Sequence, residues 1–126
     1  MDSLKIIFDN FSLELHDNEY YEVTVFDDKE FKVEDLKKLV DVQKTLGELR
    51  LPVLVICSES ALTDSDLLRT LSKNANNPFS KADAFVIKSM AQKILANFYL
   101  KINSPERPTK FFNNREEAYN WIKEYL

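Results

Sequence analysis

The chain has 126 residues, of which 30% are charged and 44% hydrophobic, and its net charge at pH 7 is −4. A chain of this length corresponds to one domain, which can bury its own core without disulfides or metals. With one glycine, one histidine and one cysteine, the composition argues against a glycine-rich phosphate loop, a zinc site, an internal disulfide and a Ser-His-Asp triad, so we expect no enzyme activity, no metal and no cofactor.

The N-terminal part of the chain predicts an antiparallel hairpin. Phe11, Leu13 and Leu15 alternate with polar residues, a polar turn follows at residues 17–19, and alternation resumes over residues 20–26. Two alternating runs joined by a short polar turn are typical of paired strands with one wetter face. Residues 4–8 fit either a separate strand or an extension of the first.

The spacing of apolar residues then changes to that of a helix. The helical pattern runs over residues 33–46 and ends at Gly47, which favours the left-handed conformation of a helix terminus. Residues 51–57 are continuously apolar and rich in β-branched side chains, which predicts a strand covered on both faces, as in a parallel sheet. Cys57, at the end of this strand, is interpreted as a small buried hydrophobe.

Two further helices and a second covered strand follow. Thr63 or Asp64 can cap a helix, and after a polar loop over residues 74–80 the strand occupies residues 82–87. Ser89 is expected to cap the third helix. In that helix a broad apolar stripe is predicted to face the core, formed by Met90, Ala91, Ile94, Leu95, Phe98 and Ile102.

The C-terminal part predicts one more strand and helix. Two prolines interrupt the chain at residues 104–108, a short strand follows at 109–112, and Asn114 with Glu117 resembles a capping box for the last helix. The richest basic stretch, residues 101–115, is expected to be a solvated loop. The order β-β-α-β-α-β-α-β-α predicts an α/β fold with a mixed sheet of about five strands and about four helices. Its N-terminal hairpin is antiparallel, and its β-α units are parallel.

Two groups of residues are candidates for a functional site. The first is a regulatory or ligand-binding loop between a strand end and a helix start, formed by Ser58, Ser60, Thr63, Asp64 and Ser65. Its hydroxyls and amides can bind an anion, and helix capping in an acidic loop is the alternative. The second is an apolar pocket lined by Met90, Leu95, Phe98 and Tyr99, for which plain core packing is the alternative.

Four segments of the chain match motifs of a known family: ADAFVIKS at residues 82–89, ANFYLK at 96–101, PTKFFN at 108–113 and EEAYNWI at 116–122. By these segments the chain resembles STAS-like proteins, the SpoIIAA-like relatives of anti-sigma-factor antagonists, whose fold is related to that of CRAL-TRIO lipid-binding domains. It looks like the small bacterial branch of these proteins. It implies a single STAS-like domain over residues 1–126 and a regulatory, protein-binding role.

The regulatory mechanism of the better-known relatives does not transfer to this chain. In those proteins a serine in an Asp-Ser-Ser/Thr-Gly-Leu motif is phosphorylated, which breaks binding to a partner. The corresponding stretch here contains Ser65 and Asp66, so that Asp66 stands at the position of the serine, and the glycine is absent. A carboxylate cannot be phosphorylated, and Ser65 remains only a weak acceptor.

Two functions from different classes therefore remain open. The first is a non-catalytic STAS-like regulatory module with an unknown protein partner, and the second is a CRAL-TRIO-like carrier of a small apolar ligand or lipid. We expect no nucleic-acid partner because the chain is acidic, and no membrane span because no apolar stretch approaches about 20 residues. The acidic start Met1-Asp2-Ser3 does not resemble a secretory signal, so we expect a cytoplasmic protein. The sequence is also compatible with a homodimer.

Overall fold

A computed structural model describes residues 3–126 of the chain. Met1 and Asp2, which contribute to the prediction about a secretory signal, lie outside the described residues. The strands are β1 (Ser3–Ile7), β2 (Phe11–His16), β3 (Tyr20–Val25), β4 (Glu30–Phe31), β5 (Leu51–Cys57), β6 (Leu62–Thr63), β7 (Ser80–Val86) and β8 (Thr109–Phe112). The helices are α1 (Val33–Thr45), α2 (Ser65–Leu71), α3 (Met90–Phe98) and α4 (Arg115–Ile122). Short 3₁₀ turns lie at Asn74–Asn76 and Lys123–Tyr125, and a π-helix continues α3 over Tyr99–Asn103.

The main sheet is mixed, as the sequence predicts, and has six strands in the order β1-β2-β3-β5-β7-β8. Neighbours among β1, β2 and β3 are antiparallel, and the pairs from β3 to β8 are parallel. Residues 3–7 form a strand of their own, whose register with β2 runs from Ser3↔His16 to Ile7↔Ser12. The two-residue strands β4 and β6 form a separate parallel pair.

Helices cover both faces of the sheet, because successive strand residues point to opposite sides. On one face, Leu13, Val23 and Val53 pack with residues of α1 and α2. On the other face, Leu54 and Ala84 pack against α4. The strands predicted to be covered on both sides, β5 and β7, are neighbours in the interior of the sheet. Within residues 3–126, no helix combines the length and the apolar character that crossing a bilayer requires.

The helix ends follow the capping residues of the sequence. Gly47 has φ +110°, its N–H donates to the carbonyl of Lys44 and the N–H of Glu48 donates to that of Gln43, which is the Schellman arrangement. Of the two candidate caps for α2, Asp64 is the one that accepts from the N–H of Leu67, at 2.9 Å. Ser89 and Asn114 cap α3 and α4 as predicted.

The orientation predicted for the apolar stripe of α3 is wrong. Met90, Ile94, Phe98 and Ile102 are exposed, whereas Gln92, Ala96 and Tyr99 are buried. Large apolar residues occur on both sides of this helix, so their spacing identifies a helix without showing which side is buried. The side that carries a capping glutamine and a small alanine faces the protein.

Candidate functional site

A cavity of about 120 Å³ lies between the sheet and the helices α1, α2 and α3. From the sheet it is bordered by Val55, Cys57 and Phe85, and from the helix by Leu95 and Tyr99. The three sheet residues belong to the interior strands β5 and β7 and are nevertheless only half-buried. We attribute this exposure to the cavity, which separates these three side chains from α3.

The size of the cavity limits its ligands. An apolar cavity of about 150 Å³ in another protein accepts benzene or xenon, whereas pockets for larger ligands span about 300 Å³ or more. A cavity of about 120 Å³ can hold a small ring or a short branched chain.

Two buried polar side chains in the cavity wall have unpaired polar atoms. Gln43 of α1 is fully buried, and among residues 3–126 neither its amide nitrogen nor its amide oxygen has a hydrogen-bond partner. The hydroxyl of Tyr99, in the π-helix, is likewise unpaired within the described chain. Burial raises the pKa of Tyr99, which keeps the hydroxyl protonated and able to donate.

A buried ion pair lies beside the cavity, and its carboxylate, that of Asp83, borders it. Asp83 of β7 accepts a hydrogen bond of 2.7 Å from Nε of Arg107 and another from the hydroxyl of Ser80. The guanidinium also donates to Oδ1 of Asn74 at 3.1 Å and to the carbonyl of Leu71 at 2.5 Å. The prediction of a solvated basic loop is therefore wrong for Arg107, which is buried. The signal that could have revealed it is an aspartate inside an apolar strand, which needs a partner of opposite charge.

Of the residues predicted to line an apolar pocket, Leu95 and Tyr99 border the cavity. Met90 and Phe98 lie on the opposite side of α3 and are 70% and 43% exposed. The pocket therefore exists beside the predicted helix, but half of the predicted residues face away from it.

The residues of the predicted regulatory loop make structural hydrogen bonds. The hydroxyl of Ser60 donates to Oδ1 of Asp27 at 3.0 Å, and that of Thr63 donates to the carbonyl of Phe31 at 2.6 Å. Asp64 caps α2, Ser65 is the exposed first residue of that helix, and Ser58 pairs through its backbone with Val25. These contacts match the capping alternative, and nothing in them identifies a ligand.

The side chain of Gln92 holds this loop in place through hydrogen bonds. The sequence alone did not identify it as a functional or structural residue. Its side-chain nitrogen donates to the carbonyls of Ser58, Glu59 and Ala61, at 2.7, 3.2 and 3.0 Å. Its side-chain oxygen accepts from the N–H groups of Lys88 and Ser89. One buried amide thus joins the end of β5 to the start of α3.

The outward side of α3 and its π-helical extension is a second candidate site. We call it the α3 apolar face, which consists of the exposed residues Met90, Ile94, Phe98 and Ile102, spaced four residues apart. The surrounding segment, residues 84–105, contains three lysines and no acidic residue, although the whole chain has a net charge of −4. The face is therefore apolar with a basic border.

Glu14, His16 and Glu22 form a third cluster, on the face of the sheet that α4 covers. Their ligand atoms lie within 4.8 Å of one another, a spacing that a metal ion could bridge. Nη2 of Arg115, however, lies 2.7 Å from Oε1 of Glu22. A fixed positive charge at this distance opposes a cation, so we interpret the cluster as a structural ion network.

The fold and the comparisons with known proteins agree. The structure has a SpoIIAA-like fold, as the resemblance implied. It is similar to the crystal structure of an uncharacterized protein of the DUF3478 family with a SpoIIAA-like fold from Shewanella loihica PV-4. The TM-score is 0.58 at 13% identity, over 89% of this chain and 91% of that one. A protein of unknown function from Arthrobacter sp. FB24 is 25% identical over 88% of this chain and 97% of its own, with a TM-score of 0.29.

The sequence also matches a family model. The model described as "Domain of unknown function (DUF7793)" matches residues 16–126, and the chain belongs to this family. No curated protein matches the chain.

Proposed function

We propose that this protein is a non-catalytic SpoIIAA-like interaction module that binds a different protein through the α3 apolar face. The observation that carries the proposal is the exposure of four large apolar side chains, spaced four residues apart along one helical segment. Contiguous exposed apolar patches mark interaction sites on soluble proteins, whereas single exposed apolar residues need no explanation.

The energetics of burial favour such a contact. Removing one large apolar side chain from water contributes up to about 1.5–3 kcal/mol, so a few residues suffice for a specific interface. The opposite side of α3 is held by the hydrogen bonds of Gln92 and by the Ser89 cap. The apolar face is therefore presented on a fixed element, and little ordering is required on binding.

The charges around the face indicate the chemistry of the partner. Lys88, Lys93 and Lys101 belong to the segment that carries the face, with no acidic residue between them. An apolar surface bordered by Asp and Glu would complement it. An anionic membrane is the less favoured partner, because three lysines contribute about 1 kcal/mol each while the rest of this acidic chain is repelled.

Site-specific photo-cross-linking in the native cell tests this proposal. A photoreactive residue replaces Ile94, on the apolar face, and Asn120, an exposed position on α4, serves as the matched control. We expect a protein adduct at position 94 and none at position 120. The adduct is identified by mass spectrometry, and binding is then measured with both purified proteins.

Binding between this protein and the cross-linked partner, both purified, decides the outcome. If the proposal is right, Ile94→Asp abolishes binding and Asn120→Asp does not, while added salt weakens the contact through its basic border. Adducts only to lipid, adducts only to a second copy of this chain, or equal yields at both positions would each overturn it.

The cavity supports a second candidate function, the binding of a small apolar ligand. Its volume of about 120 Å³ restricts this candidate to molecules near the size of benzene.

A further inference from the structure

We propose that the outer edge of β1 is a dimerisation surface, to which β1 of a second copy of this chain adds in antiparallel orientation. The strands β1 and β8 are the two edges of the six-stranded sheet. Because α3 follows β7, which lies beside β8, the β1 edge is at the other end of the sheet from the α3 apolar face. The dimer contact therefore does not depend on the proposed binding of a different protein at that face.

The apolar layer that α1 and α2 cover continues to β1, where it is exposed. In the register of β1 with β2, Leu4 lies opposite Leu15 and Ile6 lies opposite Leu13. Residues directly opposite each other share one face of a sheet. Leu15 is only 4% exposed, whereas Leu4 is 57% exposed. Phe8, the residue after β1, packs against the same core. A further strand at this edge would extend the apolar layer and cover Leu4.

The backbone of β1 offers hydrogen-bonding groups on its outer side. The N–H of Phe8 donates to the carbonyl of Phe11 in β2 at 2.8 Å, so it points into the sheet. The direction of these groups alternates along a strand of an antiparallel pair. Those of Ile6 therefore also point to β2, whereas those of Lys5 and Ile7 point outward. Within residues 3–126 no strand pairs with this outer side, and β1 has neither the proline nor the bulge that protects many edge strands.

The sequence of β1 complements itself when a two-fold axis passes beside Ile6. Ile6 then lies opposite its equivalent in the second copy, and Leu4 lies opposite Phe8 on the same face. On the other face Lys5 lies opposite Ile7, and the outward backbone groups of these two residues form a hydrogen-bonded pair. An axis at Lys5 would instead place two lysines against each other, and such like-charge pairs are destabilising. Charge therefore favours the register centred on Ile6.

Sedimentation equilibrium of the full chain, combined with amide hydrogen exchange followed by NMR, tests the dimer. We expect the chain to self-associate, and the amides of Lys5 and Ile7 to exchange more slowly as the protein concentration rises. The amide of Ile6, which points to β2 in either state, is the internal control and should exchange slowly at every concentration. A chain that is still monomeric at about 1 mM, or a dimer in which the amides of Lys5 and Ile7 exchange freely, would overturn the proposal.

Charge variants at position 7 test the register. Ile7 is 69% exposed, so the monomer should tolerate a charged side chain there. Ile7→Lys places a positive charge opposite Lys5, whereas Ile7→Glu places a negative one. Because the contact occurs twice in a symmetric dimer, Ile7→Glu should dimerise at least about tenfold more tightly than Ile7→Lys.

Two control variants separate this contact from the rest of the surface. Asn120→Lys, on exposed α4, adds a charge away from β1 and should leave the dimer affinity unchanged. Ile94→Asp, on the α3 apolar face, should also leave it unchanged, which distinguishes the dimer from the binding of a different protein. Equal dimer affinities for Ile7→Lys and Ile7→Glu, or loss of the dimer in Ile94→Asp, would contradict the proposed edge contact.

Discussion

The ion pair between Asp83 and Arg107 shows how much one residue contributes when its charge is buried. Both side chains are almost fully enclosed, and the guanidinium has further partners in Asn74 and the carbonyl of Leu71. Replacement of Arg107 by Met leaves the Asp83 carboxylate without its counter-ion. We expect the free energy of unfolding, measured with urea, to fall by about 3–5 kcal/mol.

An exposed arginine in the same chain provides the control. Arg69 contacts Asp66 at 2.5 Å, but both side chains are about two-thirds exposed. Because solvent screens such a pair, Arg69→Met should change the free energy of unfolding by at most about 0.5–1 kcal/mol. Losses of similar size in the two variants would contradict the structural role assigned to Arg107.

Buried polar residues such as Arg107 could not be predicted from the sequence. The sequence places Arg107 in a proline-containing basic stretch, which is a good description of an exposed loop. Gln92 and Gln43 occupy helices in which a glutamine is an ordinary surface residue. Their importance depends on contacts with groups far away in the chain, such as the carbonyl of Ala61 for Gln92. No local pattern encodes such contacts.

At the scale of single elements, the start of α3 depends on Gln92. Its amide donates to three carbonyls of the loop that follows β5. Gln92→Glu keeps the size of the side chain and places a carboxylate against these carbonyl oxygens. We expect a loss of at least about 2–3 kcal/mol in the free energy of unfolding, since the carbonyls lose their donor and an anion is buried among them.

Hydrogen exchange would localise the effect of Gln92→Glu. Protection should fall first at residues 58–61 and in α3, before β5 and β7 are affected. Asn97→Asp makes the same chemical change at an exposed position of α3 and should leave exchange unchanged. Uniform loss of protection across the sheet would show that Gln92 does not act locally.

The end of α1 depends on a different property, the backbone conformation of Gly47. Its φ of +110° is strained for any residue with a β-carbon, even though such a carbon would meet only Cγ of Leu49, at an ordinary contact distance of 3.9 Å. Gly47→Ala should therefore destabilise the protein by about 1 kcal/mol or more. Thermal unfolding measures this change, and Lys44→Ala, in the exposed last turn of α1, is the control. A Gly47→Ala protein as stable as the control would exclude the proposed strain.

The elements themselves were well predicted because they have local signals. Alternation identified β2 and β3, continuous apolar runs identified β5 and β7, and Gly47, Ser89 and Asn114 marked helix ends. The orientation of α3 was mispredicted because both its sides contain apolar residues. The inward side of α3 is apolar because it borders the cavity, and the outward side is the α3 apolar face.

At the scale of the whole molecule, charge is distributed unevenly. The chain has a net charge of −4, while residues 84–105 contribute three positive charges and no negative ones. Such polarity steers a complementary partner toward one side of the protein. The positively charged segment includes α3, which also borders the cavity. A protein partner on the outward side of α3 and a ligand on its inward side would therefore contact the same helix.

The stability of the whole molecule should decrease at alkaline pH. Burial raises the pKa of Cys57 from 9.0 to about 11, against a smaller opposing effect of Lys88, and raises that of Tyr21 from 10.0 to about 12. At a pH between the unfolded and the folded pKa of each group, the unfolded chain has released a proton that the folded chain retains. The free energy of unfolding is therefore at its full value below pH 9 and falls as the pH rises from 9 to 12. Urea unfolding across this range measures the slope. Cys57→Ala should flatten it between pH 9 and 11, whereas Asn120→Ala, which removes no titratable group, should not. A slope unchanged by Cys57→Ala would contradict the raised pKa of the thiol.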